Sequence, residues 1–186
     1  HKIILYNIEL NFILDKKFIM KNLITHILMG LIIFACQDNS KKDTSPLSGI
    51  INEKDEKSKI IEKLADSYLQ GNFDIAKDYF EPDGKHYFNN LEYDVNGIIE
   101  GYNFHSVLFT EIKHNNRDIY TSYFNNGKVV TYHDFLWTAN SKLSGKSYSY
   151  PCHCRWEWEN DRISSTICYV DPTGIFYEVN LYQEKN

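Results

Sequence analysis

An acid that closes an aromatic strand and a histidine that interrupts an apolar stripe are the residues of this sequence best suited to moving a proton. Asp171 follows Tyr169-Val170 and precedes Pro172. If Asn160-Asp161 makes a tight turn with Glu159 opposite Arg162, then Cys152, Cys154, Trp156 and Trp158 share a strand face with Ile163, Ser165, Ile167, Tyr169 and Asp171. His153, Arg155 and Glu157 then share the other face with Ser164, Thr166 and Cys168. The first face is the apolar one and should turn toward the core. A carboxyl at its end, beside Trp and Tyr, gains proton affinity and can act as a general base or acid. A simpler role competes, because Asp171 ahead of Pro172 is also a helix cap. His105 sits in the stripe Val95, Ile98, Tyr102, His105, Phe109, Ile112, spaced three and four apart. Aimed inward, it would orient or protonate a ligand oxygen, or else rest as a core histidine bonded to a hydroxyl or carbonyl.

Other candidates are weaker. His133 and Asp134 are adjacent on a strand, so they point to opposite faces and only one of them can reach a pocket. His86 lies on a short strand. Tyr68, Tyr102, Phe109, Trp156, Trp158, Ile167 and Tyr169 are the expected pocket wall, with the Trp pair also readable as plain core. Cys152, Cys154 and Cys168 are odd in number, so they cannot all close into disulfides. Cys152-His153-Cys154 alternates faces along one strand and lacks the spacing of a zinc loop, so no metal is expected.

The elements that hold these groups follow from periodicity. Asn52 is a plausible cap for a first helix carrying Ile60, Ile61, Leu64, Ala65, Tyr68 and Leu69, stopped by Gly71. A second, short helix is expected from Asp74 to Phe80, then a turn at Glu81-Pro82-Asp83-Gly84 and a strand over 85–89. The third helix should run from Val95 to Lys113. After Arg117 the period becomes two: strands over 119–124 and 128–138 flank Asn125-Asn126-Gly127, a hairpin signal. Strands over 146–159 and 162–170 follow. A C-terminal helix after Asp171-Pro172 competes with an extended tail, since Ile175, Phe176, Tyr177 and Val179 favour strand. Helices first and a meander afterwards indicate an α+β fold, with helices on one face of a curved antiparallel sheet.

The composition supports this and excludes some functions. The chain has 186 residues and a net charge of −5, so it offers no basic footprint for nucleic acid. Aromatic residues make up 15%, which favours a β-rich domain with large side chains around a core or pocket. The N-terminal part reads as an address. Residues 1–19 are expected to be upstream translated sequence. From Met20, Lys21 precedes an apolar run over Leu23–Ala35, a signal-peptide layout too short for a transmembrane helix. Ile33-Phe34-Ala35-Cys36 resembles the lipobox of bacterial lipoproteins, with a larger side chain at Phe34 than is usual there. The resemblance implies a signal over 20–35, lipidation at Cys36, a polar tether over 36–51, and a domain over 52–186. It places the protein at the bacterial cell envelope, anchored to the membrane through its N-terminal lipid.

Three strings carry a second resemblance: Tyr68-Leu69-Gln70-Gly71-Asn72-Phe73-Asp74, Trp156-Glu157-Trp158-Glu159-Asn160-Asp161-Arg162-Ile163, and Tyr169-Val170-Asp171-Pro172-Thr173. Their order and spacing over about residues 52–180 resemble the SnoaL-like branch of the NTF2-like superfamily. That resemblance implies a cone-shaped α+β fold, three N-terminal helices on a curved antiparallel sheet, with an apolar pocket between them and commonly a homodimer. Its members include isomerases, cyclases, dehydratases and binding modules, so the fold leaves function open. Three readings stand. The first is a lipid-anchored module binding a small apolar or amphipathic molecule without a cofactor. The second is a cofactor-independent isomerase or dehydratase using Asp171 and His105. The third is an interaction module working through its exposed sheet face.

Overall fold

The long strands that dominate this computed structural model, which describes Thr44–Asn186, begin at Phe109, ahead of the change of period expected after Arg117. The expected signal segment, Cys36 and most of the tether lie outside the described residues. Seven strands form one mixed sheet: β1 (Gly49–Asn52), β2 (Phe80–Phe88), β3 (Leu91–Tyr93), β4 (Phe109–Phe124), β5 (Val129–Ser141), β6 (Ser147–Glu159) and β7 (Arg162–Tyr169). Their order is β1-β4-β5-β6-β7-β2-β3. The pairs are antiparallel except for β2 against β7, which run parallel. The expectation of a wholly antiparallel sheet is corrected at that one seam. Gly49–Asn52, placed at the tether–domain boundary by the sequence, instead extends along the edge of β4, where β-branched Ile50 and Ile51 suit a strand.

Helix α1 (Glu56–Leu69) is capped by Asp55, whose carboxylate accepts from the Ser58 amide at 2.7 Å, and not by Asn52. Its buried face is Ile61, Leu64, Ala65 and Tyr68, the stripe expected from spacing. A single 3-10 turn (Asp74–Asp78) stands in place of the second helix, because Phe80 is taken into β2. Glu81-Pro82-Asp83-Gly84 forms a bulge inside β2, where the register against β7 shifts between Phe80 and Lys85.

Helix α2 (Val95–Leu108) begins at its expected cap, Asp94, which accepts from the Gly97 amide at 2.7 Å. It stops at Leu108 and not at Lys113, since Phe109 and Thr110 pair with Ser141 and Asn140 of the long β5. Pairing outweighed the helical spacing of Phe109 and Ile112. After Pro172 the chain forms helix α3 (Thr173–Lys185), which settles the competition with an extended tail. Gly174 lets α3 lie directly on the sheet, because a Cβ there would meet the Tyr150 hydroxyl at 2.3 Å. The hairpin after β4 uses the three residues Asn125-Asn126-Gly127, with positive φ at Gly127 but not at Asn126.

Bulges bend this sheet around the helices. β4 departs from regular pairing twice, near Glu111 and near Asn116, both at positive φ. The core lies between the concave face and α1 and α2, with Ile61, Leu64, Ile99, Leu108 and Ile163 almost wholly buried.

Candidate functional site

The second bulge in β4 determines what faces the interior. On β5, Trp137 and His133 are an even number of residues apart and share the inner face. Their β4 partners are His114 and Ile119, an odd number apart. A regular strand would send these two partners to opposite faces. The extra residue around Asn116 turns both inward. His114 thereby reaches the interior, a position that the sequence reading passed over. The available signal was Asn115-Asn116, since Asn tolerates positive φ inside a strand.

A second irregularity decides the opposite wall. Glu159 pairs with Arg162 as expected, but the register shifts at once: Trp158 faces Ile163, while Glu157 faces Ser165. Ser164 is the inserted residue, and beyond it every side chain of β7 changes face relative to the expectation. Trp156 therefore pairs with Thr166, and Cys154 pairs with Cys168, with which it forms a disulfide. Cys152 is the free thiol among the described residues. Ile167 and Tyr169, expected in the pocket, stand with Arg155 and His153 on the outer face, and Tyr169 is 52% exposed.

The interior cavity has a volume of about 60 Å³. On the scale of about 10–15 Å³ per buried water, it holds roughly four waters or a ligand of similar size. Tyr68, Tyr102, Trp156 and His105 line it as expected, joined by His114, His133, Phe135 and Trp137. Phe109 and Trp158 do not. Phe109 is core beside Trp137 and Tyr148. Trp158 donates to Thr131 at 2.9 Å, with the Lys57 ammonium 4.4 Å over its ring.

Asp171 is corrected more sharply. Its carboxylate is exposed and accepts from the Thr173 amide at 2.9 Å, and that bond holds its pKa below the ordinary aspartate value. It precedes Pro172, the N-cap of α3, and borders a surface groove with Asn89, Pro151 and Tyr169; it does not line the cavity, although groove and cavity share Phe135, Cys152 and Val170. The expected rise in proton affinity needed an apolar wall around the carboxyl, and the register shift removed that wall.

His105 is buried and belongs to a chain of hydrogen bonds. Trp137 Nε1 donates to the Tyr68 oxygen at 2.8 Å, and that hydroxyl lies 2.9 Å from His105 Nδ1. Indole can only donate, so the Tyr68 oxygen accepts from Trp137; with His105 protonated on Nε2, the Tyr68 hydroxyl donates to Nδ1. Burial pushes the His105 pKa down to about 4. His114 falls to about 3 through burial and the nearby Arg117 guanidinium. Burial, then His114 and Arg117, hold His133 well below its usual value. Burial also raises the Tyr68 and Tyr102 phenols and lifts the Cys152 thiol to about 12. At neutral pH the whole lining is uncharged.

The imidazoles of His114 and His133 lie 5.3 Å apart, centre to centre, and both pack on Phe135, at 3.8 and 4.3 Å. Several buried polar atoms of the lining have no partner: both nitrogens of His114, His133 Nε2, the Tyr102 hydroxyl and Trp156 Nε1. Leaving one such group unpaired in an apolar interior costs about 1–3 kcal/mol. Water or a ligand entering this space would supply the missing partners. Asp134, the neighbour of His133, points outward to His153, as alternation along the strand required. His86 is buried away from the cavity, stacked on Phe80 and bonded to Thr166 at 3.0 Å. Among the described residues no group of three or more His, Cys, Asp or Glu side chains is arranged to hold a metal ion.

No known family model matches this sequence, and no curated protein matches it either. Solved structures do match. IdmH, a candidate polyketide cyclase from Streptomyces antibioticus, superposes with a TM-score of 0.52 at 12% identity over 68% of this chain and 99% of its own. A candidate isomerase from Bacillus subtilis gives 0.54 at 12% identity, over 66% of this chain and 91% of its own. AclR, a candidate hydroxylase from Streptomyces galilaeus, gives 0.52 at 11% identity, over 69% and 96%. The shared feature is the fold: helices packed on a mixed, curved sheet, the SnoaL-like (NTF2-like) architecture.

Proposed function

We propose that this protein is a lipid-anchored binding module of the bacterial cell envelope whose interior cavity holds a small molecule, apolar over most of its surface and polar at one end. The observation that carries this reading is the set of unpartnered polar atoms on His114, His133, Tyr102 and Trp156, buried in an otherwise apolar wall. A ligand supplying hydrogen bonds there would recover what those groups lost on burial. Native mass spectrometry of the full chain beside a denatured sample tests it. Extra mass that disappears on unfolding supports a resident ligand. Bare mass, together with no stabilisation by any small polar-ended compound, counts against it.

Binding is a better reading than acid-dependent isomerisation or dehydration, because Asp171 lies outside the cavity and no carboxylate lines it. The envelope location rests on the signal-like run over Leu23–Ala35 and on Cys36. Its test is incorporation of radiolabelled palmitate in a bacterial host, abolished by Cys36→Ser. A homodimer through the outer sheet face is part of the same proposal. Tyr120, Tyr132 and His153 form an aromatic row there, with ring spacings of 5.3 and 5.9 Å, and Tyr169 pairs with His153. Sedimentation of the wild type against Tyr132→Glu would test it.

A further inference from the structure

The cavity is unbalanced in a way that specifies its ligand. Its lining offers three imidazoles, two phenols, two indole N–H groups, of which that of Trp137 is already given to Tyr68, and a thiol, and no carboxylate. Trp156 Nε1 can only donate. The Tyr102 hydroxyl has a proton to give, and neutral His114 must carry one N–H on a ring whose two nitrogens are both unpartnered. These are three donors for which no carboxylate of the lining provides an acceptor. Water could satisfy some of them, but a carboxyl group, with two oxygens, offers several acceptor positions at once. The volume of about 60 Å³ limits the ligand to roughly four to six heavy atoms. Apolar neighbours such as Val170 and Ile175 leave room for an alkyl part rather than a second polar group.

We propose that the cavity takes up a short-chain monocarboxylic acid, its carboxyl set against His114 and His133, and that one proton enters with the anion. This rests on the reading of the cavity as a ligand site. The physical reason for the proton is charge. A bare carboxylate in this wall would be a buried ion without a partner, which a protein interior does not tolerate. An anion beside two imidazoles also reverses what keeps them neutral, because an opposite charge favours the imidazolium.

The other groups around the pair agree with that account. From β4, Arg117 adds positive potential, partly offset by its ion pair with Asp66 of α1 at 2.8 Å. Tyr68 from α1, Tyr102 and His105 from α2 and Cys152 from β6 complete the surroundings, all uncharged at neutral pH. Asp134 of β5 faces away, toward His153. No anion lining the cavity competes for the proton.

Isothermal titration of the full chain with sodium propionate tests this, with propionamide as the uncharged isostere. Runs at pH 7 in two buffers of unlike ionisation enthalpy give the protons exchanged. The expected result is uptake of about one proton per propionate bound and a tenfold loss of affinity for each pH unit raised from 6.5 to 8. His114→Phe and His133→Phe should each weaken propionate at least tenfold and lower the proton uptake that accompanies its binding. If either variant fails to fold, the proton count on the wild type still decides. Propionamide binding as tightly as propionate, with no proton exchanged, would overturn the acid assignment and leave the cavity reading standing. If neither probe binds but native mass spectrometry shows a retained molecule, the acid assignment alone is lost. If neither binds and the mass is bare, both are lost.

Discussion

Mild acid should unfold this protein well above the pH at which its carboxylates titrate, and the buried histidines set the size of the effect. His86, His105 and His114 have folded-state pKa values near 4, 4 and 3, lowered chiefly by burial, and His133 shifts in the same direction. In the unfolded chain each titrates near 6.5. Above pH 6.5 both states hold these rings neutral and stability is level. Below it the unfolded chain takes up protons that the folded protein refuses, so stability falls until the folded imidazoles charge near pH 4 to 3. Each of these rings contributes about 1.4 kcal/mol per pH unit inside that window, or about 2 kcal/mol at pH 5. The three with stated values together give about 6 kcal/mol, against a usual domain stability of about 5–15 kcal/mol. Asp55 and Glu178, whose folded-state pKa values are lowered, add to the loss only near and below pH 4.5, so the interval from 7.5 to 5 isolates the histidines. The assay is urea unfolding followed by tryptophan fluorescence at half-unit pH steps. Unfolding near pH 5.5 should take up about three protons or more, and His105→Gln should lower that number by one. Uptake of less than one proton, or equal stability at pH 7.5 and 5, would refute the claim that these imidazoles are buried and neutral.

Three further outcomes are expected. Glu178 is buried beneath three hydroxyl donors, Ser141, Ser144 and Tyr148, so Glu178→Gln, which turns an acceptor into a donor facing donors, should cost about 2–4 kcal/mol in urea unfolding. Asp171→Ala should lower stability slightly by the same assay, through the lost acceptor for the Thr173 amide, and leave ligand binding within twofold of the wild type. Under native, non-reducing conditions the thiol of Cys152 should resist alkylation on the time scale that labels an exposed cysteine. Peptide mapping after denaturation should find Cys152 alkylated, with Cys154 and Cys168 still joined.

Periodicity and turn chemistry made much of the fold legible. The apolar spacing of Ile61, Leu64, Ala65 and Tyr68 fixes a helix face whatever lies opposite it, and Asp94 caps α2 while Asp171 accepts from the first amide of α3 because a short acid satisfies amides that any helix leaves open. The Asn160-Asp161 turn, with Glu159 opposite Arg162, was readable for the same reason: it depends on residues within a few positions of one another. Tyr68, Tyr102, His105 and Trp156 could be assigned to the interior because each lies on an apolar face set by local geometry.

What the sequence could not determine was parity. Each inserted residue, near Asn116 in β4 and at Ser164 in β7, sends every side chain beyond it to the opposite face. The first brings His114 in beside His133. The second puts Ile167 and Tyr169 outside, brings Cys154 opposite Cys168, and leaves Asp171 in solvent, bonded to the Thr173 amide. A bulge costs little locally, and its position is selected by how the whole sheet bends to cover α1 and α2. The end of α2 at Leu108 has the same origin, since strand pairing with a distant β5 competed with local helical spacing. The sequence therefore determined, by itself, the α+β order of elements, most of their faces and the aromatic stock of the interior. Only the tertiary structure decided which histidines meet around the cavity, because that depends on register, and register is settled between strands rather than along one.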